Sequence, residues 1–349
     1  MHHRHAKRRE EATLGRSRVV LLVMLCVAQL MVILDISAVN VALPDMAGDL
    51  GIGHADIGWT ITSYSLVFGS LLLLGGRAAD LLGRRRVFLT GLTVFTVASL
   101  ASALAGDATS LFAARAGQGL GAALLSPAAL SIITSAFQGP ERARALAVWG
   151  AVGGAGAAIG VLLGGTLTEL VDWRAIFFIN LPIGLALAAA AMHLVPADVT
   201  RPRWSGLDLR GALVATASVA GLVYALSQAQ DTGWTSAETL GIGAAALAGL
   251  GLFALLELRT EQPLLRVQRL GDRAIGGGFL MMLAASAVMF GSFLLSSLYL
   301  QNVLGTGALA TGLAFLPLAA AIVVGVHVAQ HVIQHAGVRV PLAAGFAVT

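Results

Sequence analysis

The stretch Gly76-Arg77-Ala78-Ala79-Asp80-Leu81-Leu82-Gly83-Arg84-Arg85-Arg86 joins two apolar runs, 57–76 and 86–106. Each run is close to the roughly 20 helical residues that a bilayer's hydrocarbon core requires. The connection carries an acid near the end of one helix, a glycine suited to a tight turn, and arginines opening the next helix. It reads as two membrane helices bent back on each other at a charged, water-facing edge. Asp80 is placed to pair with an arginine beyond the Gly83 turn and so latch the two helices together. Gly76 allows close helix approach.

The same rhythm continues in both directions. Apolar runs at 19–43, 57–76, 86–106, 108–136, 143–168, 174–195, 209–229, 238–258, 275–300 and 307–330 predict ten transmembrane helices. The first follows a basic stretch, as a signal peptide would. It exceeds the roughly 7–15 apolar residues of a signal and ends at Pro44 without a small-residue cleavage site, so it is read as a mature helix. Val338 to Thr349 is apolar again and reads as the start of an eleventh helix cut short, so the chain is expected to be a fragment.

Charge fixes the orientation. The tail before the first run holds Arg4, Lys7, Arg8, Arg9, Arg16 and Arg18, and the even connections hold the clusters at 84–86, 142–144, 201–210, 259–273 and 339. The odd connections hold acids (Asp45, Asp49, Asp56, Asp107, Glu169, Asp172, Asp231 and Glu238) and a single cation, Arg174. Of 22 Lys and Arg, all but Arg174 and the intraspan Arg115 fall on one side. The positive-inside rule then puts the N-terminus and the even connections in the cytoplasm.

Composition agrees. The chain has 349 residues, is 57% hydrophobic and only 11% charged, with mean hydropathy +0.84. Soluble domains carry about 25% charged residues, so a soluble enzyme, a nucleic-acid-binding domain and a disordered protein are excluded. The pI near 10.0 does not mark a nucleic-acid partner: net charge is +4 and the cations are spread between spans. Cys26, the single cysteine, lies inside an apolar run, which leaves no disulfide framework and no thiolate metal site.

Ionisable groups inside spans are costly and therefore informative. Asp35 lies seven residues below the outer end of the first span at Ala42, and Arg115 seven below the outer end of the fourth near 108. At 1.5 Å per residue both sit about 10 Å into the membrane. They can pair if the two spans are neighbours, either as a structural ion pair or as a proton site whose acid is tuned by the arginine. Asp80, Glu257 and His193 lie near cytoplasmic ends, where hydration makes a charge cheap. Gln29, Asn40, Gln118, Asn180, Tyr224 and Gln228 either face a central cavity or bond between helices.

Five motifs carry a family resemblance. The segment 76–86 resembles the G-x-L-A-D-R-x-G-R-K signature of the major facilitator superfamily, with Ala78 and Leu81 as departures. Leu34 to Pro44 resembles the first-helix motif L-D-x-T-x-V-N-V-A-L-P of its fourteen-helix drug–proton antiporters. Arg115, Gln118, Gly119 and Gly121 resemble the fourth-helix R-x-x-Q-G-x-G. Gly156, Gly160, Gly164 and Gly165 resemble the fifth-helix antiporter motif, with Val161 in place of a frequent Pro. Trp173 to Pro182 is similar to W-R-W-I-F-x-I-N-x-P.

The resemblance implies an all-α integral membrane protein of the major facilitator fold, with ten transmembrane helices and a partial eleventh. It divides the chain into a cytoplasmic basic tail (1–18), an N-terminal six-helix bundle (19–195), a two-helix insert with its flanking loops (196–272) and an incomplete C-terminal bundle (273–349). It implies proton-coupled export of amphipathic or cationic small molecules by alternating access. Asp35 and Arg115 would couple protons. Gly76, Asp80, Gly83, Arg84, Arg85 and Arg86 would form the cytoplasmic gate. Gly156, Gly160, Gly164 and Gly165 would pack the fifth helix tightly, and Gln29, Asn40, Gln118 and Asn180 would border the substrate. A proton-coupled nutrient symporter and an inactive fragment of an exporter are the alternative readings. No enzyme activity, cofactor, nucleic acid or resident metal is expected. The histidines at 2, 3 and 5 lie in a tail, and His327, His331 and His335 form one helix stripe without a nearby acid. The expected partners are a small-molecule substrate, protons and the lipid of a cell membrane, with the chain a monomer.

Overall fold

The computed structural model describes residues 2–53, 56–198, 208–260, 263–337 and 339–348. Arg201 and Arg203 of the 201–210 cluster lie outside the described residues, as do the side chains of His2, His3, His5 and His327. Helix is the regular structure of everything described: α1 (His2–Leu50), α2 (Trp59–Leu82), α3 (Arg84–Ala103), α4 (Ala108–Ala136), α5 (Gly139–Leu170), α6 (Ala175–Phe178), α7 (Asn180–Leu194), α8 (Leu209–Thr232), α9 (Ala237–Arg259), α10 (Arg273–Leu298), α11 (Ala308–Ala314), α12 (Leu316–Ala336) and α13 (Arg339–Val348). Among the described residues eight stretches are long and apolar enough to cross a membrane, α6 and α7 together making one of them, and 273–289 and 310–322 are shorter apolar stretches.

Local chemistry sets several starts. Asp107 caps α4 by accepting the Ser110 amide at 2.8 Å, while the Ser110 hydroxyl faces the Asp107 amide at 3.4 Å, a reciprocal box. Asp208 and Ser236 cap α8 and α9. Several boundaries differ from those the sequence predicts. α1 runs through Pro44 to Leu50 because its last turns are held from outside: Met46 is buried, and Asp49 accepts from Trp173 Nε1 at 3.2 Å and Arg174 Nη1 at 2.6 Å. The charged connection at 76–86 is itself almost all helix, with Gly83 (φ 106°) the one residue between α2 and α3. The sixth span is broken at Ile179, where Pro182 has no amide to return to the Phe178 carbonyl.

The helices pack through small residues. α4 lies between α2 and α3 with its backbone against theirs: a Cβ on Gly75 would meet the Ala123 carbonyl oxygen at 1.9 Å, and one on Gly121 the Phe95 amide at 2.4 Å. A Cβ on Gly76, expected at the close approach, would meet Pro127 Cβ at an ordinary 3.7 Å. α1 packs along α5, where Cβ atoms on Gly160 and Gly164 would meet Ser37 Cβ at 2.6 Å and Ala38 Cα at 2.5 Å. A Cβ on Gly156 would reach Leu30 Cδ1 at 3.0 Å, and Gly165 is buried. α8 and α9 form a hairpin whose α8 rests on α2, with the Thr216 hydroxyl donating to the Ser70 carbonyl at 3.1 Å. α11 and α12 rest on α5. The main core joins α1, α2, α3, α4 and α7, and a second cluster around Met46, Leu111, Trp173 and Phe177 closes the end of the bundle opposite the Gly83 turn.

Candidate functional site

α1 and α4 are neighbours, and Asp35 and Arg115 meet between them. Arg115 Nη1 donates to Asp35 Oδ2 at 2.5 Å, with both side chains about 1% exposed or less. Charges so far from water persist only when paired and hydrogen-bonded, and the neighbours supply those bonds. Gln118 Nε2 donates to Asp35 Oδ1 at 2.8 Å, and Gln118 Oε1 accepts from Arg115 at 2.8 Å and from the Ser102 hydroxyl at 3.0 Å. Arg115 Nε donates to the Thr60 carbonyl at 3.1 Å. The guanidinium carbon lies 4.5 Å from the Tyr64 ring centre and 5.7 Å from that of Phe177, so aromatic faces cover the cation.

The break in the sixth span completes the ring. Asn180 opens α7, and its amide donates to the Ser99 hydroxyl at 2.9 Å and to Asp35 Oδ1 at 3.4 Å; Ser99 in turn donates to the Phe177 carbonyl at 3.0 Å. Gln118 and Asn180 are therefore packed around the acid and buried, instead of lining an open space. Asn40 bonds its own helix at the Ile36 carbonyl, and Gln29, half-buried, accepts from Ser126 of α4 at 2.8 Å. Thr60, Tyr64, Ser99, Ser102 and Phe177 belong to this site without having been singled out in the sequence. Phe177 lies within the Trp173–Pro182 motif, but the hydroxyl residues look like any small polar residue of a membrane helix.

At the α2–α3 junction the Gly83 turn forms as expected, with a different acid at it. Asp80 is exposed and its oxygen lies 3.5 Å from the Ser131 hydroxyl of α4; no ion pair from it to Arg84, Arg85 or Arg86 is present. Asp198, beyond α7, accepts the amides of Arg85 at 3.3 Å and Arg86 at 3.1 Å and so caps α3. A Cβ on Gly83 would lie 2.3 Å from the Asp198 carboxyl carbon. Arg85 Nη2 donates to the Met192 carbonyl at 2.7 Å, and Arg84 and Arg86 are exposed. Asp80, Arg84, Arg85 and Asp198 border a cavity of about 440 Å³ between the α2–α3 turn, the end of α4 and the segment after α7. On α12, His331 and His335 are exposed with ring centres 4.4 Å apart, and among the described residues no group of three or more His, Cys, Asp or Glu converges to hold a metal.

The chain is 44% identical over 305 residues to the puromycin resistance protein of Streptomyces alboniger, covering 87% of this chain and 60% of that protein. It is 42% identical to the cephamycin export protein of Amycolatopsis lactamdurans and 36% identical to the lincomycin resistance protein of Streptomyces lincolnensis, in each case over 94% of this chain and 68% of the relative. The chain thus spans about 60 to 68% of the length of these relatives. Among solved structures it resembles a peptide transporter in complex with sulfate, with a TM-score of 0.59 and 17% identity over 91% of this chain and 69% of the other, a likeness of fold alone. Residues 25–349 match the Major Facilitator Superfamily. With its helices, its buried polar centre and these relatives in agreement, the chain belongs to the Major Facilitator Superfamily.

Proposed function

We propose that the chain serves proton-coupled export of amphipathic or cationic small molecules across the cell membrane, with its N-terminus in the cytoplasm, as a member of the fourteen-helix drug–proton antiporters. In this reading 19–195 is the N-terminal bundle, 196–272 the insert and 273–349 part of the C-terminal bundle. The observation that carries it is the Asp35–Arg115 pair, excluded from water and ringed by Gln118, Asn180 and Tyr64. A buried carboxylate needs a countercharge, and a guanidinium and a proton are interchangeable in that role. A shift of α1 against α4 that lengthens the 2.5 Å contact leaves Asp35 to be neutralised by a proton, and the reverse shift expels it. One inward proton gains about 2.3 kcal/mol per 100 mV, enough for a roughly 50-fold gradient of a neutral solute. The relatives named for puromycin, cephamycin and lincomycin support the substrate class. The Gly83 turn, with Asp80 and the arginines at 84–86 beside the cytoplasmic cavity, serves as the inner gate, and the glycine face of α5 keeps the bundle leak-tight against α1.

The test uses inverted membrane vesicles holding the full chain, energised by a proton gradient, with puromycin as the probe. Wild type is expected to accumulate puromycin inside and to dissipate the gradient when it is added. Asp35→Asn is expected to insert to the same level and do neither. Undiminished uptake by that variant overturns the assignment of Asp35, and accumulation in right-side-out vesicles instead establishes import.

A further inference from the structure

Glu257 takes no part in the site around Asp35. It lies near the end of α9, where the sequence suggests a hydrated charge, yet it is only 1% exposed because α8 and the segment after α9 close over it. Its Oε2 accepts the Leu265 amide at 2.9 Å, which ties the segment leading to α10 onto the root of the α8–α9 hairpin. Its Oε1 is buried without a hydrogen-bond donor. That oxygen lies beside Gly211 in the first turn of α8, where a Cβ would stand 2.8 Å from Oε1 and 2.7 Å from Asp208 Oδ2. Asp208 is the α8 cap: its Oδ1 accepts the Gly211 amide at 2.9 Å. Its Oδ2 is 3.3 Å from the Thr260 hydroxyl, which is closer, at 2.9 Å, to the Leu256 carbonyl. The charged groups that face Glu257 are Asp208 and Arg77 of α2, the helix on which α8 rests.

Glu257 is buried while Asp208 and Arg77 are half-buried; two carboxyl groups and one guanidinium there balance when one carboxyl keeps a proton, and a like charge beside a buried carboxylate disfavours its ionised form. We propose that Glu257 and Asp208 share one proton. The proton sits on Glu257 Oε1, on the side of the Gly211 turn that Asp208 Oδ2 also borders, and it fastens the 263–267 segment to the hairpin. When it leaves to water, the paired negative charges repel, Glu257 turns outward and the Leu265 amide loses its acceptor. The insert hairpin is thereby a proton-dependent clasp on the chain leading to α10, independent of the Asp35 site. The closed form holds a proton that the open form gives up, so closure weakens as pH rises, by up to about tenfold per pH unit for one linked proton.

The test is trypsin cleavage at Arg266 and Arg269 in the full chain in lipid nanodiscs, read by mass spectrometry from mildly acid to mildly alkaline buffer. Rates are divided at each pH by those of Glu257→Gln, whose neutral amide keeps both a donor toward Asp208 and an acceptor for Leu265. The wild-type ratio is expected near one in acid and rising several-fold in alkali. Asp208→Asn, which caps a helix as well and removes the repulsion, is expected to stay flat, and Glu257→Ala to be fast throughout. Infrared difference spectra should show a protonated-carboxyl stretch that Glu257→Gln lacks. A wild-type ratio flat across pH, or no such band, overturns the proposal. Protection that appears only when sodium replaces choline overturns it in favour of a bound metal cation.

Discussion

Replacing Arg115 by Met removes a charge from the centre of the bundle while keeping an apolar side chain of similar length. Asp35 then loses its 2.5 Å partner and keeps two amide donors, Gln118 at 2.8 Å and Asn180 at 3.4 Å. The Thr60 carbonyl loses its donor, and Gln118 Oε1 falls back on Ser102. The dominant cost is the uncompensated buried carboxylate, about 3–5 kcal/mol, which includes most of what the lost hydrogen bonds would add separately. The double variant Asp35→Asn/Arg115→Met removes both charges and is expected to recover at least about half of that, since buried pairs replaced as a unit cost little. The two single variants differ in kind. Asp35 in Arg115→Met can take up a proton, so its penalty shrinks in acid. Arg115 in Asp35→Asn stays charged at every accessible pH, so its penalty does not. Unfolding of the full chain in mixed micelles, followed through tryptophan fluorescence at neutral and acid pH, measures all three. At neutral pH, Arg115→Met should shift the unfolding equilibrium by more than about 100-fold, at 1.4 kcal/mol per factor of ten. A double variant as unstable as the sum of the singles would refute the treatment of Asp35 and Arg115 as one neutralised unit.

Two further outcomes are expected. Gly164→Val puts side-chain atoms where a Cβ alone would already meet Ala38 Cα at 2.5 Å, so α1 and α5 must separate; a loss of about 1–3 kcal/mol, as for overpacking, is expected in the same micelle titration, and a neutral result would show that the seam is loose. Asp198→Ala removes the cap of α3 and should cost about 1 kcal/mol, whereas Gly83→Ala, strained at φ 106° and pressed against Asp198, should cost more; hydrogen exchange at the amides of Arg85 and Arg86 reads both.

Much of this architecture is legible in residue order because the bilayer imposes it: span length and the side on which arginines fall are set by water and lipid before any contact forms. The Asp35–Arg115 meeting is legible for the same reason, since equal depth in adjacent spans leaves few other partners. Contacts between surfaces are not. Asp198 reaches Arg85 across 113 residues and takes the place expected of Asp80, a competition that spacing does not reveal. Gly75 and Gly76 differ by about 100° of helix rotation, and hydropathy does not say which of them presses on the α4 backbone. Glu257 reads as a hydrated end-of-helix acid because its cover, the segment around Leu265, is a loop whose path follows no periodicity. Pro44 suggests a helix end, and only the grip of Trp173 and Arg174 on Asp49 explains why α1 continues.

The backbone-to-backbone seating of α4 between α2 and α3 has a mechanical consequence. With carbonyls and amides where flexible side chains would otherwise cushion the contact, these three helices have no give and behave as a stiff keel. Under the proposed export reading, any displacement that opens a path for cargo falls outside these three helices, between α1 and α4 or at the seam where α11 and α12 lean on α5, and reporter pairs placed across those seams should register it while one placed across α2 and α4 stays silent.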